Sequence, residues 1–360
     1  MKATQLLHDL GQSIWIDNIT RDMLDSGTLK RYIDEYSVTG LTSNPTIFNL
    51  AVKNSASYDA SISQLGRNES GENLFFHIAI QDLTRAADLF KPIYDRTNHV
   101  DGYVSLEVSP LLAYDTQATI KAAKELCERA GRPNLFIKIP GTKEGLPAIE
   151  ECIYSGIPIN ITLLFDREQY LAAADAYMRG IERRIKAGLN PNVASVASVF
   201  VSRWDASISK TAPEPLRNKL GIAIAGRIYQ AYRELLVSPR WMRALNEGAI
   251  PQRLLWASTG TKDPKASNVL YVNALGAPFT VNTMPDVTLN ALAGNDSIGS
   301  PMKVDASEAE KQLKEYAAAN IDVTKLAAQL QEEGAKAFVT SWNELMGVMK
   351  QKSAVLETVR

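Results

Sequence analysis

Short apolar runs alternate with longer segments of helical periodicity along the whole chain. This alternation is typical of β/α units that build a parallel sheet. The runs that we interpret as strands are SIWID (13–17), VTGLTS (38–43), YVSLEV (103–108), NLFIKIP (134–140), GIPINITLLF (156–165), VASVASVFV (193–201), RLLWAST (253–259) and PFTVNTM (278–284). Eight strands in this setting predict a closed (β/α)8 TIM barrel. An open doubly wound sheet is the alternative, but no Gly-x-Gly-x-x-Gly turn follows the first strand, which weakens it.

The segments between the strands carry apolar residues at helical spacing and can cover the outside of a barrel. The clearest of them are 72–90, 116–130 and 166–188. The stretch 43–71 is long for a loop, so we expect it to form short helices over one rim. The tail from about 305 to 360 is rich in Ala, Glu, Lys and Leu and predicts two or three appended helices, besides a helix at the N-terminus. We expect residues 1–360 to form a single barrel domain that includes these helices.

The run NLFIKIP places a lysine within a strand that is otherwise apolar. Side chains alternate across a strand, so Leu135, Ile137 and Ile139 share one face while Phe136 and Lys138 share the other. The aliphatic face should meet the helices, which turns Lys138 toward the barrel interior. An ammonium group there carries a large desolvation cost unless it is paired or has lost its proton.

Other strands show the same division, with polar residues near the carboxyl end on the face opposite the aliphatic residues. Asp17, Glu107, Asn160 and Thr162 hold these positions. The carboxyl ends of the strands form the active-site mouth in barrels of this type. Any one of these side chains could be a satisfied interior polar group. Together with Lys138, however, they predict a catalytic site.

The residue types at this mouth suit Schiff-base chemistry. Burial disfavours the charged form of an amine, and the neutral amine of Lys138 could attack a ketone. The protonated Schiff base withdraws electrons from the neighbouring carbon–carbon bond, whose cleavage requires groups that accept and return protons. Asp17 and Glu107 suit this task, and Thr162 can orient a water between them. The alternative is that Lys138 is charged and paired with one of these carboxylates.

Several motifs in sequence order resemble those of the transaldolase family of Schiff-base-forming enzymes. They are SIWIDNI, GLTSNPTIF, SLEVSP, FIKIPGTKEGLPAI, GIPINITLLF, SVFVSRWD and LLWASTGTKDP, and together they cover most of the chain. The resemblance implies that Lys138 forms the Schiff base, that Asp17 and Glu107 are the acid and base, and that Thr162 holds the catalytic water. It also implies that Asn44 and Asn160 bind the hydroxyls of a three-carbon dihydroxyacetone unit.

The resemblance assigns Ser198 and Arg203 to the phosphate end of the substrate. Arg203 follows the sixth predicted strand, and the planar fork of an arginine matches a phosphate well. After the seventh strand, the stretch STGTKD supplies Ser258 and Lys262, which could form a small anion-binding loop. Here the chain departs from the shorter family members, which carry an arginine soon after the corresponding serine. Lys262 could therefore replace that arginine, or it could be a solvated loop charge.

The function that the resemblance implies is the transaldolase reaction of the pentose phosphate pathway, catalysed by a transferase. Sedoheptulose 7-phosphate and glyceraldehyde 3-phosphate would give erythrose 4-phosphate and fructose 6-phosphate. No metal or organic cofactor is implied, because the protonated imine is itself the electron sink. The competing reading is an aldolase that releases dihydroxyacetone, but relatives of that kind carry a glutamine at the position of Glu107 and a tyrosine at that of Phe200. A catalytically silent barrel is the third reading, and none of the matched polar positions is missing.

Composition and charge narrow the possible partners. Hydrophobic residues make up 45% and charged residues 22% of the chain, as is usual for a soluble globular protein. The net charge of −1 provides no overall basic field for nucleic acid or an anionic membrane. No apolar run approaches the length of a membrane span, so we expect a cytoplasmic protein. The family resemblance adds a possible homodimer.

Overall fold

The computed structural model describes residues 1–66 and 69–358 and contains eight parallel strands that close into a barrel in sequence order. The strands are β1 Gln12–Ile16, β2 Val38–Leu41, β3 Val104–Glu107, β4 Leu135–Pro140, β5 Ile159–Leu164, β6 Ser195–Phe200, β7 Arg253–Ala257 and β8 Thr280–Met284. Each lies within or overlaps one of the eight predicted segments. The prediction of a (β/α)8 barrel is therefore confirmed, and the open sheet is wrong because β1 pairs with β8.

Helices surround the barrel and extend beyond it. They are α1 Ala3–Asp9, α2 Arg21–Asp25, α3 Thr28–Tyr36, α4 Pro45–Asn54, α5 Asp59–Leu65, α6 Gly71–Arg96, α7 Thr116–Ala130, α8 Gly145–Tyr154, α9 Arg167–Lys186, α10 Ser202–Ser207, α11 Leu220–Leu236, α12 Pro239–Asn246, α13 Leu270–Ala274, α14 Asp286–Ala293, α15 Ser307–Ala318 and α16 Val323–Thr358. Two short 3-10 helices, Pro110–Leu112 and Glu214–Leu216, lie in connections. None of the described helices is long and apolar enough to cross a membrane.

Local sequence signals fix where several of these helices begin. The side chains of Asn44, Asp115 and Asp166 accept backbone N–H groups in the first turns of α4, α7 and α9. Such caps satisfy donors that have no partner within the helix, and each stabilises its helix by about 1 kcal/mol. Asn44 is thus held by α4 in a defined position directly after β2.

Aromatic side chains fill the middle of the barrel. The ring of Trp15 lies 6.2 Å from that of Phe136, which stacks on Tyr103 at 4.2 Å. Gly40 in β2 provides the space for this layer, because a Cβ atom there would lie 2.6 Å from the Trp15 ring. Phe136 and Trp15 therefore point inward, and their neighbours Ile14, Ile16, Ile137 and Ile139 are also fully buried.

Polar side chains close the barrel at the amino ends of the strands. Arg253 in β7 donates to Ser13 Oγ at 2.6 Å and to the carbonyl oxygen of Thr280 at 2.9 Å. Asp101 accepts hydrogen bonds from Ser13 and from Trp15 Nε1, the latter at 2.8 Å. In barrels of this type the amino-end face contributes stability, and the opposite face holds the chemistry.

The predicted C-terminal helices are α15 and α16, and α16 reaches the carboxyl ends of the strands. Gln331 Nε2 donates to the carbonyl oxygen of Leu163, the penultimate residue of β5, at 2.9 Å and to that of Gly141, directly after β4, at 3.2 Å. Farther along, Asn49 of α4 donates to Glu344 at 3.0 Å. The helix therefore lies over the barrel mouth.

Candidate active site

Lys138 lies at the carboxyl end of the barrel interior, as its strand pattern predicts. Its side chain is only 6% exposed, and Nζ donates to Glu107 Oε2 at 2.8 Å and to the carbonyl oxygen of Ser43 at 3.1 Å. The structure therefore contains the ion pair between Lys138 and a carboxylate that the sequence analysis gave as the alternative to a neutral amine. The ion pair and the neutral pair contain the same number of protons, so transfer of one proton across this contact produces the nucleophilic amine.

Strand register explains the contact. Glu107 in β3 is paired in register with Lys138 in β4, which in turn is paired with Asn160 in β5. Their side chains therefore form one layer across three adjacent strands. Burial raises the pKa of Glu107, while Lys138 and Arg203 act in the opposite direction. A carboxyl group that is easily protonated beside an amine suits an exchange of protons between them.

Asp17 follows β1 directly and is half-buried at the mouth. Burial and the neighbouring Asp286 raise the pKa of Asp17 to about 6, although Lys262 and Lys138 oppose the shift. These interactions place Asp17 in the same electrostatic environment as Lys138. A carboxyl group that titrates near neutrality can act as either acid or base at physiological pH.

A hydrogen-bonded group of polar side chains adjoins Lys138. Asn160 Nδ2 donates to Ser105 Oγ at 3.0 Å, and Ser198 Oγ donates to Asn160 Oδ1 at 2.6 Å. These bonds fix the orientation of the Asn160 amide. Thr162 is also fully buried, yet its Oγ1 has no hydrogen-bond partner among the described residues, and the same is true of Glu107 Oε1. Unsatisfied buried oxygens of this kind are suited to binding a water or a substrate.

Asn44 lies at the edge of this group. Its Oδ1 caps α4 by accepting the Ile47 N–H at 3.1 Å. Asn44 and Ser43 line a small pocket together with Glu107 and Trp342, a residue of α16. The structure therefore brings Asn44 beside one of the two carboxylates.

Arg203 is the second residue of α10, just after β6, and lies among aromatic rings. Its guanidinium carbon is 4.9 Å from the centre of the Phe200 ring and 5.8 Å from that of Phe338 on α16. Burial lowers the pKa of Arg203, and the negative charge of Glu107 opposes this shift. Stacking on two rings within about 6 Å restrains the guanidinium near Glu107 while leaving its hydrogen-bond donors available.

Ser258 and Lys262 lie in the loop that follows β7. Ser258 adopts a left-handed backbone conformation (φ 54°), and its Oγ lies 3.0 Å from Ser202 Oγ, next to Arg203. Lys262 is exposed and interacts electrostatically with Asp17. Lys262 also lines a cavity of 410 Å³ with Arg217, Lys265, Asp205 and Tyr271. Positive groups thus flank the mouth on the side of β6 and β7.

Three residues at this site were missed by the sequence analysis. The carbonyl oxygen of Ser43 and the hydroxyl of Ser105 bond directly to Lys138 and Asn160, respectively. Phe338 is the third, with its ring centre 5.7 Å from Lys138 Nζ. Ser105 shares the inward face of its strand with Glu107, which was a usable signal. Gly334, Phe338 and Trp342 recur every four residues on one side of α16, but this spacing does not specify where the helix docks.

Within the described part of the chain, no group of three or more His, Cys, Asp or Glu residues could hold a metal ion. The groups that converge at the mouth are an amine, carboxyls, amides, hydroxyls and a guanidinium.

The fold and these groups define a class: (β/α)8-barrel enzymes that form a Schiff base on an interior lysine. The family model for transaldolase/fructose-6-phosphate aldolase matches residues 14–349. A transaldolase of Saccharopolyspora erythraea is 42% identical over 356 residues, which cover 97% of each chain. A transaldolase of Mycobacterium bovis is 43% identical over 347 residues, or 93% of each chain, and transaldolase 2 of Nostoc punctiforme is 39% identical over 375 aligned positions, or 97% of each chain.

This chain therefore belongs to the transaldolase/fructose-6-phosphate aldolase family. The family resemblance inferred from the motifs, together with the expectation of a transaldolase-type transferase, is confirmed by these matches.

Proposed function

We propose that this protein is the transaldolase of a pentose phosphate pathway and transfers a dihydroxyacetone unit between phosphorylated sugars. The donor is sedoheptulose 7-phosphate, the acceptor is glyceraldehyde 3-phosphate, and the products are erythrose 4-phosphate and fructose 6-phosphate. The observation that carries this proposal is the 2.8 Å contact between Lys138 Nζ and Glu107 inside the barrel. The names of the relatives support the same activity.

The first stage forms the imine. Proton transfer to Glu107 leaves the Lys138 amine with a free electron pair, which attacks the ketone carbon of the donor. The carbinolamine then loses its hydroxyl group as water, for which Glu107 supplies the proton. We assign Thr162 to hold this water, because its buried hydroxyl has no other partner among the described residues. The product is a positively charged imine at Lys138.

The second stage breaks and remakes a carbon–carbon bond. Asp17 removes the proton of the hydroxyl on the carbon beyond the scissile bond, and the bond electrons move into the imine to give an enamine. The aldose phosphate leaves as an aldehyde. The enamine carbon next attacks the aldehyde of the acceptor, whose oxygen regains a proton from Asp17. Addition of water to the new imine releases the ketose and restores the Lys138 amine.

Substrate recognition is divided between the two ends of the site. We assign the hydroxyls of the dihydroxyacetone unit to Asn44 and Asn160, since Asn160 lies in the layer of Lys138 and Glu107 and Asn44 lines a pocket with Glu107. Ser198, which the family resemblance assigns to the phosphate end, donates a 2.6 Å hydrogen bond to Asn160, so we assign it instead to orienting the Asn160 amide. We assign the phosphate to Arg203, Ser258 and Lys262. The positive charges of Arg203 and Lys262 lie at the mouth of the barrel, on the side of β6 and β7.

The family also contains fructose-6-phosphate aldolases. These enzymes release free dihydroxyacetone and do not transfer it to a second sugar. Two residues of this chain favour the transferase: Glu107 occupies the place of a glutamine in such aldolases, and Phe200 that of a tyrosine. Phe200 packs against Phe165 and Arg203 and presents no hydroxyl to the site. A tyrosine at the position of Phe200 could hold a water by its hydroxyl, and Phe200 cannot do so.

The test combines turnover with trapping. Fructose 6-phosphate is supplied with and without erythrose 4-phosphate, and borohydride is added to reduce any imine to a stable adduct. We expect rapid product formation only with the acceptor, together with a mass increase on the peptide that contains Lys138. Turnover at a comparable rate without the acceptor would instead identify an aldolase.

Lys138→Arg tests the nucleophile, with Lys143→Arg as the matched control. Lys143 lies five residues further on and is exposed, so its replacement should leave turnover and trapping unchanged. Lys138→Arg should abolish both while the fold is retained. Trapping that persists in Lys138→Arg would assign the imine to another amine and refute this mechanism.

A further inference from the structure

The aromatic ring of Phe338 on α16 lies over Lys138 at the carboxyl end of the barrel. Its centre lies 5.7 Å from Lys138 Nζ and 5.8 Å from the guanidinium carbon of Arg203. Phe338 is 4% exposed, although it belongs to a helix added after the eight strands. One ring therefore contacts both the group that we assign to the imine and the group that we assign to the phosphate.

Hydrogen bonds on both sides of Phe338 hold it in this place. On its N-terminal side, Gln331 donates to the carbonyl oxygens of Leu163 and Gly141. On its C-terminal side, Thr46 donates to Ser341 at 2.7 Å. Because these bonds join α16 both to the strand ends and to α4, the ring can withdraw only if several of them break.

Close packing at Gly334 sets the height of the ring above the mouth. A Cβ atom at this position would lie 2.9 Å from Leu163 Cδ2 and 3.1 Å from Arg203 Nη1. Glycine thus allows α16 to approach the barrel closely one turn before Phe338. The ring consequently lies within the distance at which a cation is attracted by an aromatic face.

We propose that Phe338 is a positioning residue that sets the specificity of the reaction for a sugar acceptor over water. This inference rests on the proposed transaldolase function. The ring attracts the cationic imine nitrogen and removes space in which water could approach the adjacent carbon. It thereby prolongs the lifetime of the bound three-carbon unit until an aldehyde arrives.

The reaction that the ring suppresses is hydrolysis of the enamine left after the first aldehyde departs. In that reaction the terminal enamine carbon takes a proton from Asp17 or Glu107, which regenerates the imine. Water then adds to the imine carbon, the bond from that carbon to Lys138 Nζ breaks, and dihydroxyacetone is released. Atoms and charges balance with water as the co-reactant, and no oxidant or reductant is consumed.

The experiment measures the ratio of dihydroxyacetone release without acceptor to transfer with erythrose 4-phosphate, using fructose 6-phosphate as donor. Phe338→Leu preserves an apolar side chain but removes the aromatic face, and Phe338→Ala also opens space. We expect this ratio to rise roughly 3-fold in the leucine variant and 10-fold or more in the alanine variant. Met349→Ala is the control, because Met349 is buried on the same helix about 16 Å further along its axis.

Each result leads to a distinct conclusion. An unchanged ratio in Phe338→Leu with normal thermal unfolding overturns the role of the ring, even if the alanine variant fails to fold. An equal rise in Met349→Ala also overturns it, since general loosening of α16 would then be the cause. Failure of the parent protein to use the acceptor refutes the proposed function itself and is seen before any variant is made.

Discussion

At the scale of single residues, the two carboxyl groups of the site differ in what surrounds them. Glu107 lies in direct contact with the Lys138 amine, whereas Asp17 is influenced by the anion Asp286 and, without a hydrogen bond, by Lys262 and Lys138. Burial raises the pKa of both groups. In the proposed mechanism, Glu107 therefore exchanges a proton with the Lys138 amine, and Asp17 exchanges one with the sugar.

The pKa of Asp17, about 6, predicts the acid limb of the pH profile of kcat/KM. Asp17 must be ionised to accept the sugar proton, so kcat/KM should fall as pH decreases through 6. Lys262 lowers the pKa of Asp17, and Lys262→Met should therefore move this limb to higher pH. A limb that stays in place in that variant would assign it to another group.

The same shift has a consequence for stability. Because the folded-state pKa of Asp17 is raised above its ordinary value of 3.8, ionisation of Asp17 destabilises the folded state as pH rises from 4 to 6. Asp17→Asn should thus increase the free energy of unfolding by about 3 kcal/mol at pH 7.5 and by only about 1 kcal/mol at pH 4.5. Turnover should fall at least roughly 100-fold. Equal stabilisation at both pH values would contradict the shift.

Thr162→Val tests whether the Thr162 hydroxyl contributes to turnover rather than to stability. Thr162→Val removes a buried hydroxyl without a partner among the described residues, so stability should change by less than about 1 kcal/mol. Turnover should decrease roughly 10- to 100-fold if the hydroxyl holds the catalytic water. Thr280→Val is the matched control: its hydroxyl bonds to Gln12 and Ala277, and its loss should lower stability but not turnover.

At the scale of elements, α16 links the site to the outer layer of the barrel. The helix bonds to the ends of β4 and β5 and also to α4, whose first residue follows Asn44. Leu163, which accepts one of these bonds, has a left-handed backbone conformation (φ 59°) beside Thr162. Such a conformation is retained only where surrounding contacts hold it, as Gln331 does here.

Gly334→Ala tests whether α16 controls the phosphate end. The new methyl group would meet Leu163 and Arg203, so Arg203 must shift. We expect KM for fructose 6-phosphate to rise several-fold, with a smaller change in kcat. Gly347→Ala on the same helix has open space around its Cβ. This control should leave the kinetics unchanged and stabilise the protein by about 0.5–1 kcal/mol. Equal KM values for the two variants would contradict the role assigned to Gly334.

The strands and the site layer could be predicted from the sequence because both depend on local alternation. Lys138 was placed inward by its aliphatic neighbours, and register then brought Glu107 and Asn160 beside it. The position of α16 could not be predicted in this way. Its spacing defines an apolar face, but the surface that this face covers depends on contacts such as Gln331 to Leu163, between residues 168 positions apart in sequence.

At the scale of the whole molecule, stability and chemistry are located at opposite ends of the barrel. The amino-end group of Arg253, Asp101 and Ser13 is buried and hydrogen-bonded. In the carboxyl-end layer, one oxygen of Glu107 and the hydroxyl of Thr162 have no hydrogen-bond partner within the described part of the chain. Several hydrogen bonds hold the amino-end group together, although Arg253 Nε has no partner among the described residues. At the carboxyl end, the oxygens without a partner are suited to binding a ligand.

Arg253→Met tests this separation. The change removes three hydrogen bonds. It also removes the cation closest to Asp101 in this group, because Arg253 Nη1 lies 4.0 Å from Asp101 Oδ1. The free energy of unfolding should decrease by about 3 kcal/mol, while kcat/KM stays within about twofold of the parent. Arg132→Met, which breaks an exposed ion pair with Asp88, should change stability by less than about 1 kcal/mol. A large loss of kcat/KM in a folded Arg253→Met protein would contradict the separation.

The place of α16 in the chain also bears on biosynthesis. All barrel strands have been translated once Met284 is added, but Phe338 is incorporated only 54 residues later. A nascent chain can therefore contain all eight strands and Lys138 before the part of α16 that carries Phe338 has been synthesised. We therefore expect a chain released before this point to lack the ring that, in our proposal, restricts the access of water to the imine.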